Sequence, residues 1–131
     1  MIGGQISMVF DATPTALPQV QSGAIRAIGA GMASRMNGMP GLPTLEEQGL
    51  KGFECYTWNA ILAPAGTPEP IVDRLSQAIN TALAHRTVLL RLQEVGVDST
   101  PGSTPKQAAA FIKAELAKWA PIIKASGAQI D

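Results

Sequence analysis

The chain has 131 residues and a mass of 13.7 kDa, with 10 Lys plus Arg against 10 Asp plus Glu. That length fits one domain, and zero net charge removes the bulk attraction on which nucleic-acid and anionic-lipid binding rest. Apolar residues at 46% and charged ones at 15% exclude a disordered chain, and the single cysteine, Cys55, excludes an intramolecular disulfide framework and a multi-cysteine zinc site. The charges are unevenly spread: the first 45 residues hold only Asp11, Arg26 and Arg35.

The start, Met1–Phe10, has no basic n-region and no cleavage signal, so it does not read as a signal peptide. Residues Ile6–Phe10 form a short apolar run after Gly3-Gly4 and predict a buried strand. The run ends at Asp11-Ala12-Thr13-Pro14, a capping residue followed by a first-turn proline. A short helix is predicted from about Pro14 to Gln21, with Gly23 as its stop. Ile25–Ala30 reads as a second strand, and Gly31 to Pro43 as a glycine- and proline-rich loop. Thr44-Leu45-Glu46-Glu47 has capping-box spacing, with Gly49 where a helix ends, so a short helix is expected there.

Phe53–Ala63 carries the densest aromatic and β-forming stretch and is expected as a third strand. After Thr67-Pro68, Val72, Leu75, Ile79 and Leu83 recur on one helical face, with Arg74, Gln77 and Asn80 off it. A further helix is predicted over Thr87–Val95, stopped by Gly96, and Val97–Thr100 reads as a short strand or link. Thr104-Pro105-Lys106-Gln107 combines a capping box with a first-turn proline and opens a long last helix, which Pro121 is expected to kink. Strands alternating with helices predict an α/β fold with a parallel or mixed sheet.

Catalytic patterns are missing from the sequence. The one histidine, His85, falls at a helix junction and reads as a solvated turn residue. No Gly-x-Ser-x-Gly elbow is present, and Cys55 has no nearby histidine and reads as a small buried apolar residue. Gly29-Ala30-Gly31-Met32-Ala33-Ser34 imitates a dinucleotide fingerprint but lacks the third glycine and a following helix. No cofactor and no metal site are implied. The best functional feature is the turn Phe10-Asp11-Ala12-Thr13, where a strand end meets a helix N-terminus and backbone N–H groups can receive a carboxylate or phosphate. The alternative is that Asp11 or Thr13 simply caps its own helix.

A longer series of residues is similar to a known family. It comprises Gly3-Gly4-Gln5, Met8-Val9-Phe10-Asp11, Ala16-Leu17-Pro18, Gly23 to Ile28, Leu42-Pro43-Thr44 with Glu47 and Gly49-Leu50, Trp58 ahead of Ala63-Pro64-Ala65-Gly66-Thr67-Pro68, and Ile79-Asn80 with Ala82-Leu83. Together these resemble the Bug family, the periplasmic solute receptors of tripartite tricarboxylate transporters. The resemblance spans essentially the whole chain but only the C-terminal part of such a receptor. It implies a type II periplasmic-binding-protein-like fragment: a mixed sheet with flanking helices and a long C-terminal helix. Residues 1–32 then resemble the end of one lobe, 33–55 the connection, and 56–131 the C-terminal part of the other lobe. The implied function is binding of a small carboxylate (a dicarboxylate, tricarboxylate or amino acid) in a cleft, without enzymatic activity, for delivery to membrane transporter subunits. The implied location is periplasmic, the implied ligand residues are Phe10, Asp11, Ala12 and Thr13, and the regions Met32–Pro43 and Glu54–Asn59 lie where lobes would hinge. The contrasting expectation is a truncated remnant that folds by self-association, as a homo-oligomer, and binds no solute.

Overall fold

A computed structural model describes residues 1–128. It contains four helices, α1 (Thr13–Gln21), α2 (Glu69–Ala84), α3 (Arg86–Glu94) and α4 (Pro105–Ser126). Each begins close to its sequence signals. Ala12, in extended conformation, precedes α1, with Pro14 in the first turn and Ser22 and then Gly23, at φ +76°, at the end. His85 caps α3 by accepting the Thr87 N–H at Nδ1, 3.3 Å away. The expected solvated turn residue is therefore exposed but holds a structural role. The Thr104 box closes in both directions: the Gln107 N–H reaches the Thr104 hydroxyl at 3.2 Å, and the Thr104 N–H reaches Gln107 Oε1 at 2.9 Å. The last helix continues past Pro121 to Ser126.

Residues Met1–Asn59 and Leu83–Ser99 make one compact unit, and Ala60–Ala82 with Thr100 onward make a second. In the first unit three distant segments cross at the backbone. Ala30 and Thr44 form a parallel bridge, built from Ala30 N–H to Pro43 O and Leu45 N–H to Ala30 O, both 2.9 Å. One residue on, the Cys55 N–H donates to Gly31 O at 2.8 Å. A side chain on Gly31 would strike the Cys55 carbonyl, and one on Gly29 would strike Leu45. Gly31 therefore serves close backbone approach, while Gly29 leaves room for the Gln48 and Leu45 side chains. Leu17, Ala30, Met36 and Thr44 are buried here. In the described part of the second unit no residue is fully buried.

Several sequence expectations need correction. The sheet is reduced, among the described residues, to the single Ala30–Thr44 bridge; Ile6–Phe10, Ile25–Ala30 and Phe53–Ala63 form no strands, and Val97–Thr100 takes the link alternative. The reason is that a strand, unlike a helix, needs a neighbouring segment to receive its N–H and C=O groups. Ile6–Phe10 is accordingly exposed, with Met8 at 63% and Phe10 at 66%. Cys55 is half-buried. The Thr44 capping box forms, but as a turn, because the one helical-register bond, Gln48 N–H to Thr44 O at 3.3 Å, is followed by Gly49 N–H to Glu46 O and Leu50 N–H to Leu45 O, which leave that register.

In the second unit, the end of the loop before α4 is tied to α2 by one side chain. Asn80 Oδ1 accepts the Gly102 N–H at 2.6 Å, and Asn80 Nδ2 donates to Ser103 O at 2.9 Å and to Ser76 O at 3.0 Å. On α4, Trp119 Nε1 donates to Glu115 Oε2 at 2.9 Å, and the Lys118 ammonium lies 5.4 Å from the Trp119 ring centre.

Candidate functional site

The four residues singled out in the sequence, Phe10, Asp11, Ala12 and Thr13, stand together at the entry to α1. The Phe10 ring stacks on Phe53 with centroids 5.9 Å apart. Asp11 Oδ1 accepts the Ala12 N–H at 2.8 Å and the Thr15 hydroxyl at 2.7 Å, so Asp11 holds the turn from the residue before the cap position. The Thr13 hydroxyl donates to Met36 Sδ at 3.9 Å, and its methyl faces Gly96, where a Cβ would collide with it. Thr13 is thus packed into the unit by its side chain.

This geometry leaves a small set of groups for a ligand. Pro14 has no N–H, the Ala12 N–H is taken by Asp11, and the Thr15 N–H bonds to Ala12 O at 3.1 Å. Among the described residues, the Thr13 N–H and Asp11 Oδ2 have no partner. One points from a helix N-terminus, where the dipole favours an anion. The other is an acceptor that suits a hydroxyl, an amine or a water carried by the ligand and repels a bare carboxylate.

Two further features escape the sequence reading. Arg35 Nε lies 3.0 Å from both Glu47 carboxylate oxygens, while Arg35 also donates to Pro40 O at 3.1 Å and Glu47 Oε2 accepts the Thr44 N–H at 2.7 Å. The Arg35 hydrogen bond, and after it the Thr44 N–H, hold the Glu47 carboxyl below its ordinary value. This pair pins the 32–43 loop over the Thr44 turn. Nearby, an open depression of about 590 Å³ is lined by Val20, Ile25, Met39 and Leu42 with Arg26 as its charged member. The glycine- and proline-rich loop was the available signal, but which segment it faces depends on tertiary pairing. Among the described residues no group of three or more metal-ligating side chains occurs, and no helix is long and apolar enough to cross a membrane.

The architecture places the chain in the class of periplasmic binding proteins. Its fold matches Rpa4515 of R. palustris, solved with adipate, with a TM-score of 0.82 and 29% identity, covering 96% of this chain and 42% of that one. It matches the periplasmic binding protein BugD at 0.80 and 31%, with coverages of 96% and 42%, and MatC of Rhodopseudomonas palustris with bound malate at 0.77 and 31%, covering 93% and 42%. The family model for tripartite tricarboxylate transporter receptors, TctC, matches residues 1–128, and the chain belongs to this receptor family. Among curated relatives, BugT of Bordetella pertussis is 31% identical over 131 residues, with 99% of this chain and 40% of BugT covered. A protein from the tcbD-tcbE intergenic region of Pseudomonas sp. strain P51 is 33% identical over 124 residues, covering 94% and 37%. The chain spans about two-fifths of the length of these relatives.

Proposed function

We propose that this chain forms the C-terminal part of an extracytoplasmic receptor that binds a small carboxylate, without catalysis, and hands it to the membrane subunits of a tripartite transporter. The observation that carries the reading is the family match along residues 1–128, joined to fold likeness with proteins solved with adipate and with malate. In this reading the chain works in the periplasm. Residues 1–32 end one lobe, 33–55 connect, and 56–131 belong to the other lobe. Segments contributed by the rest of a receptor complete a mixed sheet against Ile6–Phe10 and Phe53–Ala63. The ligand is met by Phe10, Asp11, Ala12 and Thr13: the Thr13 N–H receives a carboxylate oxygen, and Asp11 Oδ2 takes a hydroxyl, an amine or a bridging water. The neutral net charge supplies no long-range attraction, so selectivity rests on these local groups.

The test is a thermal-shift and calorimetric titration of the chain with adipate and malate. A ligand that binds only the folded state raises the melting temperature with concentration. The expected result is a saturable rise for at least one dicarboxylate that is weakened at least tenfold in Asp11→Ala. Melting temperatures that stay fixed with both acids would overturn the reading, and an undiminished response in Asp11→Ala would remove the turn from the site.

A further inference from the structure

We infer that Arg35, Met36 and Asn37 are positioning residues for the turn at Phe10–Thr13, a tripeptide that fixes where the Thr13 N–H points. Each of the three reaches a different segment of the first unit. Arg35 Nε bonds both Glu47 carboxylate oxygens at 3.0 Å, and Glu47 is held in turn by the N–H of buried Thr44. Met36, also buried, accepts the Thr13 hydroxyl at Sδ. Asn37 Nδ2 donates to Asp98 Oδ1 at 2.9 Å, although the two residues lie 61 apart in sequence.

These contacts close a ring. Thr13 meets Met36, Asn37 follows Met36 in the chain, Asp98 lies just beyond Gly96, and Gly96 faces the Thr13 methyl. A support that belongs to a ring cannot shift without moving its neighbours, so the α1 entry, the 32–43 loop and the end of α3 keep one geometry. A glycine- and proline-rich loop is ordinarily the mobile part of a fold, and ordering it costs backbone entropy. Arg35, Asn37 and Asp98 are exposed, where such pairs add little to stability. Their contribution is therefore to orientation: they hold buried Met36 under the Thr13 hydroxyl. The consequence for binding rests on the carboxylate reading of the turn, whereas the ring itself does not.

The experiment compares the 131-residue chain with Asn37→Asp, which sets two carboxylates face to face, and with Asn37→Asp combined with Asp98→Asn, which restores one amide donor and one acceptor in exchanged places. Two quantities are read: the Thr13 amide and methyl resonances, and the calorimetric affinity for adipate and malate. Asn37→Asp is expected to displace the Thr13 resonances and to weaken the acid that binds about fivefold, with an unchanged helical circular dichroism spectrum. The exchange is expected to return both quantities. Arg35→Gln should displace the same resonances, and the Gly102 amide of the second unit should stay in place throughout. Thr13 resonances that stay fixed in Asn37→Asp or in Arg35→Gln would overturn the proposal, as would an affinity lost in Asn37→Asp and not regained by the exchange. Resonances that move and return while neither acid binds the parent chain would support the positioning role and overturn the carboxylate reading, which tells the two failures apart.

Discussion

The two units of the chain are held by different kinds of bond. The first unit depends on contacts between residues far apart in sequence: Ala30 with Thr44, Gly31 with Cys55, Gly96 with Thr13. All the buried residues found among the described positions, Leu17, Ala30, Met36 and Thr44, belong to it. The second unit rests on α2 and α4, whose backbone groups are largely satisfied within each helix, with a tie from Asn80 to Gly102 and Ser103. The difference teaches that close backbone approach stabilises the first unit and local capping the second. Substitutions should divide accordingly.

The largest effect is expected at Gly96. Its φ is +70°, and an added Cβ would strike Thr13 and press on Leu17. Gly96→Ala combines a left-handed penalty with overpacking and should cost about 3 kcal/mol in urea unfolding. Gly66→Ala, with φ +83° and open space around it, should cost only about 1 kcal/mol. Equal costs would break the contrast between packed and unpacked turns.

Next comes Asn80→Ala, which removes the acceptor of the Gly102 N–H and the donor to Ser103 O. A loss of about 1–2 kcal/mol is expected, with faster amide exchange at Gly102 and little change at Cys55. Thr104→Ala opens the capping box of α4 and should cost about 1 kcal/mol, read as fraying of the first turn by amide exchange.

The smallest effect belongs to the exposed Arg35–Glu47 pair. The Glu47 carboxyl is held below its ordinary value in the folded chain. Its contribution is therefore present above the unfolded-state value and is lost as pH falls through the lower folded-state value. Glu47→Gln should lower the stability of the first unit slightly at the neutral end, leave it nearly unchanged at pH 3 and so flatten the slope between, measured by urea unfolding from pH 6 to pH 3.

The same division explains what could be read from the sequence. Each of the four helices was legible within a residue or two, because Pro14, Gly23, Gly96 and the Thr104–Gln107 box act through neighbours in sequence. The turn from Phe10 to Thr13 was legible as a helix-start signal. Its internal wiring was not, since Asp11 engages Thr15 and Thr13 turns towards Met36, 23 residues away. The strands failed for a related reason: Ile6–Phe10 has the composition of a buried strand, but burial requires a partner that composition does not specify. Gly31 helped imitate a nucleotide loop because close approach to a phosphate and close approach to a carbonyl, here that of Cys55, ask the same thing of a residue, the lack of a side chain.

The position of Thr13 has a mechanical consequence. Its methyl lies against the glycine that ends α3, and its hydroxyl meets a thioether in the 32–43 loop. The N–H offered at the start of α1 is therefore carried on a two-point mount, with supports drawn from two separate stretches of chain. If the proposed site is right, pulling that N–H towards a bound solute would strain the α3 stop and the 32–43 loop together, and occupancy of the turn would be felt at Gly96 and Met36 without either residue touching the solute.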